Sequence, residues 1–140
     1  MIYLDTHVVA WLYAGDIDRF PPGVRQLIEN NELYISPAVI LELQFLKEIK
    51  RLIVESIVII ETLSASIGVK VCDQTFLDII RASLSQSWTR DPFDRMIVGN
   101  AAINGTTLIT KDSMIRDNYE YAYWQERKVD RKRKLTGKES

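Results

Sequence analysis

Cysteine and histidine are almost missing from this chain, with one of each, Cys72 and His7, in 140 residues. A lone cysteine excludes an internal disulfide, and no second one offers the spacing of a zinc finger. Cys72 therefore reads as a small core residue. Long apolar runs are missing too. The longest, near Ile57–Ile60, is far too short to cross a bilayer. The opening residues Met1-Ile2-Tyr3-Leu4-Asp5 have no basic stretch and reach an acid at once, unlike a secretory leader. These absences predict a protein of the reducing cytoplasm with no membrane association. There are no internal repeats and no low-complexity tract before the C-terminal segment.

What is present suits one compact domain. A chain of 140 residues can bury roughly two thirds of its unfolded surface without a disulfide or structural metal. The hydrophobic share of 46% and charged share of 26% are ordinary for a globular protein. The charge is unevenly spread. Gln125 to Ser140 carry seven basic and three acidic residues, and the preceding part holds eleven basic and sixteen acidic ones. The boundary predicts a folded domain over 1–124 and a basic, disordered segment over 125–140, where apolar content collapses. A body of net charge −5 is unusual for a nucleic-acid binder on electrostatics alone. Carboxylates clustered to await a divalent cation would account for part of it, and ordinary solvated acids would do so equally.

Apolar patterning alternates short strands with helices. Ile2–Leu4 reads as a strand ending at Asp5, followed by a helix from His7 to about Ala14 with Thr6 as N-cap and Gly15 as stop. Pro21-Pro22 precede a helix over about 23–30, and Leu33–Ile35 is a second strand. Ser36-Pro37 is a cap followed by proline at the first helical position, opening a helix to about Ile49. The stretch 57–67 leans to a helix near 60–68, and Val69–Cys72 to a third strand. A helix over 74–85 is expected to turn Phe76, Leu77, Ile80 and Leu84 inward. Asp91-Pro92 opens another helix, closed at Asn104-Gly105. Thr107–Thr110 leads to Asp112 as a strand, and Tyr119–Trp124 is the last one. Such alternation predicts an α/β domain with a short, mainly parallel central sheet.

In an open parallel sheet, ligands sit beyond the carboxyl ends of the strands. Asp5 closes the first strand and Asp112 follows the strand 107–110. Asp94 lies in the first turn of its helix, where a carboxylate also suits the dipole. Each of these acids has a purely structural reading as a cap, a turn former or a surface charge. Glu42 differs. Its neighbours Ile40, Leu41, Leu43, Phe45 and Leu46 make the helix apolar nearly all round. A carboxylate there is either matched to a partner or costly. Hard oxygen ligands of this kind suit Mg²⁺ or Mn²⁺.

Four segments, in order, carry a family likeness: Ile2-Tyr3-Leu4-Asp5-Thr6-His7; Ile35-Ser36-Pro37-Ala38-Val39-Ile40-Leu41-Glu42; Arg90-Asp91-Pro92-Phe93-Asp94-Arg95-Met96-Ile97-Val98; and Leu108-Ile109-Thr110-Lys111-Asp112. Over residues 1 to about 124 the chain resembles the PIN-domain nucleases, and within them the toxin ribonucleases of the VapC type. The resemblance implies a PIN-like three-layer α/β/α domain. It also implies Asp5, Glu42, Asp94 and Asp112 as catalytic acids, with Asp5, Asp94 and Asp112 on a Mg²⁺ or Mn²⁺ ion. Thr6, Asp91 and Thr110 would support them. The implied reaction is endonucleolytic hydrolysis of RNA by metal-activated water, leaving a 5′-phosphate and a 3′-hydroxyl. A cognate antitoxin and a homodimer are implied partners. Gly99-Asn100 departs from what usually follows the third motif, and the basic segment is an addition.

Arg90, Arg95 and Lys111 flank the acids and either hold RNA phosphates or balance the carboxylates. Trp11, Trp88 and Trp124 read as packing residues before stacking ones, and His7 as a residue pointing away from the chemistry. The segment 127–134 is expected to attract RNA weakly. A housekeeping RNA-processing nuclease of the same family is the alternative reading. A phosphoacceptor domain, suggested by Lys111, would want an acidic pair after the first strand, where Asp5 is followed by Thr6-His7.

Overall fold

Strand β1 (Ile2–Leu4) has all three residues buried, as the central strand of a sheet covered on both faces requires. The computed structural model describes residues 1–125. Residues 126–140, most of the expected basic segment, lie outside the described residues. From β1 the chain runs through α1 (Thr6–Ala14), a 3₁₀ turn (Ile17–Arg19), α2 (Pro22–Asn30), β2 (Leu33–Ile35), α3 (Pro37–Glu48), α4 (Ser56–Ile67) and β3 (Lys70–Val71). It continues with α5 (Phe76–Leu84), α6 (Pro92–Ile103), β4 (Leu108–Ile109), α7 (Ser113–Asn118) and β5 (Ala122–Tyr123).

The sheet order is β3-β2-β1-β4-β5, and every pairing among the described residues is parallel. The steps β1→β2→β3 run one way across the sheet. The chain then passes back over β1 to β4 and β5. Connections of the usual right-handed sense would set α1–α4 on one face and α5–α7 on the other, the expected three-layer α/β/α arrangement. The reversal makes a topological switch point between β1 and β4, where Tyr3 pairs with Leu108 and Leu4 with Ile109. The core is formed by Leu4, Ile35, Leu43, Ile97, Leu108 and Ile109 with their neighbours.

Local signals explain the element ends. Gly15 closes α1 in the left-handed region (φ 71°), and its N–H bonds to Leu12 and Trp11 carbonyls. Ser36 caps α3 through Ala38 N–H (3.1 Å), with Pro37 next. Asp91 caps α6 with Pro92 next. One cap differs from expectation. Asp5, not Thr6, caps α1: its backbone is extended and its carboxylate accepts from Thr6 N–H. That leaves the Thr6 hydroxyl to bond elsewhere.

Two other expectations fail. α5 turns Ile79 and Ser83 inward, while Phe76 (70% exposed), Leu77 (57%) and Leu84 (69%) face out. The reason is α6, which presents Gly99 to α5. A Cβ on Gly99 would lie 2.9 Å from Ser83 Oγ and 3.1 Å from Ser83 N. Only a small, hydrogen-bonded side chain fits there, and Ser83 Oγ donates to Ile79 O at 2.7 Å. Gly99→Ala should therefore destabilise the fold by about 1–2 kcal/mol. Overpacking at about 1–3 kcal/mol outweighs the helix-propensity gain of about 1 kcal/mol. A denaturant melt of this variant that matches or exceeds the parent would show that the two helices can part without cost. The last strand also shrinks to Ala122–Tyr123, because a turn closed by Ala122 N–H to Tyr119 O (3.1 Å) takes up its expected start, and an unexpected helix (α7) opens at Asp112 between β4 and β5. At six residues α7 is too short to show a helical period.

A carboxylate cavity at the switch point

Four separate stretches deliver five carboxylates to one place. Asp5 leaves β1 as the cap of α1. Glu42 lies in the second turn of α3. Asp91 caps α6, accepting from Phe93 N–H (2.8 Å) and Asp94 N–H (3.2 Å), and Asp94 follows in the first turn. Asp112 caps α7, accepting from Ile115 N–H at 3.0 Å. For Asp5, Asp91 and Asp112, capping and clustering are the same placement. The helix N-termini that call for an acidic cap turn those acids into a cavity of about 430 Å³, lined by the five carboxylates with His7, Val8, Trp11 and Lys111. It opens beyond the carboxyl ends of β1 and β4, where an open parallel sheet places its ligand.

Two buried threonines hold the acids in register. Thr110 Oγ1 donates to Asp5 Oδ2 at 2.6 Å, spanning the switch point, and accepts from Asp112 N–H at 3.1 Å. Thr6 N–H donates to Asp5 Oδ1 at 2.8 Å, while its hydroxyl donates to Glu42 Oε1. Glu42 thus has the partner its apolar helix demanded. Asp5 is buried, only 7% exposed. Glu42 and Asp94 are half-buried, and Asp91 and Asp112 exposed.

The electrostatics follow from this crowding. Burial pushes the Asp5 carboxyl above the ordinary range against the pull of the Thr110 and Thr6 hydrogen bonds. Burial raises Glu42 too, partly offset by Thr6, with the charges of Asp5 and Asp91 adding to the rise. Asp94 is pushed up to about 7, by burial first and then by Asp91, Asp5, Asp112 and Glu42. A cluster that resists full ionisation when bare is one that gains from a cation. Ligand oxygens of Glu42, Asp91 and Asp94 lie within 4.8 Å of one another, so these three could hold a divalent ion, with Asp5 and Asp112 on the same cavity wall.

The structure brings together all four acids predicted as catalytic and places Asp91, also a cap, beside Glu42 and Asp94. Of the three candidate phosphate contacts, Lys111 lines the cavity. Arg90 and Arg95 donate to Ser87 O (2.9 Å) and Thr89 O (2.8 Å) in the loop before α6. Trp124 and Trp11 pack together with Phe20, and Cys72 is buried, as expected. His7 departs from its expectation: it lines the cavity, as does Trp11. Their spacing of four on α1 was the available signal.

The PIN domain family model matches residues 2–121. A comparison with curated proteins gives no match. Among solved structures, the chain is similar to a chain of VapBC2 from Rickettsia felis, crystallised bound to a DNA fragment from their promoter. The TM-score is 0.64 and the identity 18%, with 89% of this chain and 100% of that chain covered. That likeness is one of fold.

Proposed function

The chain belongs to the PIN domain family, and on that premise we propose that it is a Mg²⁺- or Mn²⁺-dependent endoribonuclease, the toxin of a toxin–antitoxin pair. The observation that carries the reading is the cavity itself, in which five carboxylates from four stretches of chain meet at the switch point. The donor set is all hard oxygen, which suits Mg²⁺ or Mn²⁺. A divalent ion bound there would supply Lewis-acid neutralisation of phosphate charge and a more acidic attacking water.

The residues divide the remaining work. Asp5, Asp94 and Asp112 are proposed as metal ligands and Glu42 as a further catalytic acid, with Asp91 close enough to Glu42 and Asp94 to share the ion. Thr6 and Thr110 fix the orientation of Glu42 and Asp5. Lys111 offers the cavity a positive charge for a phosphate. With these carboxylates proposed as ligands and supports of the ion, water is left as the attacking group, and hydrolysis is the reaction that this reading assigns.

The toxin role is supported by the fold likeness to a VapBC pair and by apolar surface awaiting cover. Leu41 is 61% exposed, and a groove of about 400 Å³ runs between α3 and α4, lined by Pro37, Ile40, Leu41, Gln44, Ser56 and Ile57. Surface of that kind favours a protein partner; an antitoxin and a second copy of the chain are the proposed ones. No helix among the described residues is long and apolar enough to cross a membrane.

The test is incubation of the full chain with single-stranded and structured RNA, and with DNA of the same sequence, in Mg²⁺, Mn²⁺ or EDTA. Internal cuts bearing 5′-phosphates are expected in RNA with either metal. Cleavage that persists in EDTA, or 2′,3′-cyclic phosphate ends, would overturn the metal-hydrolytic reading.

A further inference from the structure

We propose that His7 is a stacking platform for a nucleobase of the substrate, with Trp11 as the floor that positions it. The inference rests on the nuclease reading above and assigns the wall of the cavity that the acids leave unexplained. His7 is exposed and lines the carboxylate cavity, as do Val8 and Trp11. Its ring lies 6.1 Å from that of Trp11, tilted by 46°. Trp11 is in turn held firmly. Phe20 meets it edge-on at 6.3 Å, Trp124 does the same at 6.0 Å, and the Arg19 guanidinium lies over its ring at 5.1 Å. The outcome is one exposed flat ring on a braced aromatic base, beside a cluster that accepts charge.

This division matches a nucleotide. The phosphate and its counter-ion belong with the carboxylates and Lys111. The base is flat and uncharged, and gains nothing from carboxylates that would have to be desolvated beside it. An aromatic wall suits it, because every base presents a π-face. A ring on a rigid support also loses little freedom on contact. The base keeps this contact equally in the ground and the transition state, so its loss belongs in KM and not in kcat.

The test compares the full chain with His7→Ala and His7→Phe, using an RNA oligonucleotide of mapped cut site and versions with one abasic nucleotide on either side of the cut. His7→Ala should raise KM by about 10-fold, the order expected from losing one stacked base, and leave kcat within about 2-fold. His7→Phe should restore KM. At one abasic position the parent and His7→Ala should become equal, and Trp11→Leu should share that abasic dependence. An unchanged KM in His7→Ala overturns the platform. So does a fall in kcat that Phe fails to restore, which would give the imidazole a role in proton or phosphate chemistry. If the parent neither cuts nor binds RNA with Mg²⁺ or Mn²⁺, the nuclease reading fails and the platform with it. If the parent cuts and His7→Ala is indistinguishable, the platform alone fails.

Discussion

Asp94→Asn is expected to lower RNA cleavage by on the order of 10³-fold while making the metal-free protein more stable at pH 8. The two effects share one cause. Asp94 sits half-buried among four other carboxylates, which together with burial push it from 3.8 to about 7. At pH 8 it is ionised in the folded and the unfolded chain, and only the folded chain carries the crowding. A shift of that size corresponds to about 4 kcal/mol at 1.36 kcal/mol per unit. Solvent reaches part of the side chain, and screening reduces this to about 1–2 kcal/mol, or several degrees in Tm for a domain of this length. The amide keeps the shape and discards the charge, so the gain is present at pH 8 and vanishes below the ordinary carboxyl range. Single-turnover cleavage in Mg²⁺ and thermal melts in EDTA at pH 8 and pH 4 measure both halves. Cleavage within about 10-fold of the parent would remove Asp94 from the machinery. Coincident melts at pH 8 would mean the carboxylates are not crowded.

Without metal, the parent protein should lose stability as pH rises from about 4 to about 7, and Mg²⁺ should reverse the loss. Asp5, Glu42 and Asp94 are all shifted upward. The folded state therefore binds protons more tightly than the unfolded one, and stability falls with pH wherever that difference holds. The contribution is fully present below the ordinary carboxyl value of 3.8 and is lost as pH climbs through about 7, the value of Asp94. A divalent ion replaces the protons. At a hundred times its dissociation constant it adds about 2.7 kcal/mol, or about 10 °C in Tm for a domain of this size. That gain should be larger at pH 8 than at pH 5, where protons compete for the same oxygens. Melts across pH 4–8.5, in EDTA and in saturating Mg²⁺, measure it. Rising stability with pH in EDTA over this window would contradict the crowding, as would a Mg²⁺ effect indifferent to pH.

The locally coded features were legible in the sequence. Ser36-Pro37, Asp91-Pro92 and Gly15 act through hydrogen bonds and backbone angles within a few residues, and the elements they start or stop lie where those residues put them. The alternation of strands and helices was enough for an α/β domain with a parallel sheet. The candidate acids were readable too, because strand ends and helix starts are local positions. Glu42 stood out as a charge on an apolar helix.

What the sequence left undecided depends on which surfaces meet. α5 is amphipathic, but the stripe that turns inward was chosen by Gly99 on α6, which admits Ser83 and leaves Phe76, Leu77 and Leu84 outside. Thr6 reads locally as a cap; only its distance from Glu42 makes it a partner across 36 residues. Thr110 reaches Asp5 across 105 residues because the chain passes back over β1 to lay β4 beside it. The sequence by itself determined which carboxylates stand at strand and helix ends. The tertiary structure decided that they share a cavity with His7 and Trp11, since hydrogen bonds and desolvation act through space and strand order sets that space.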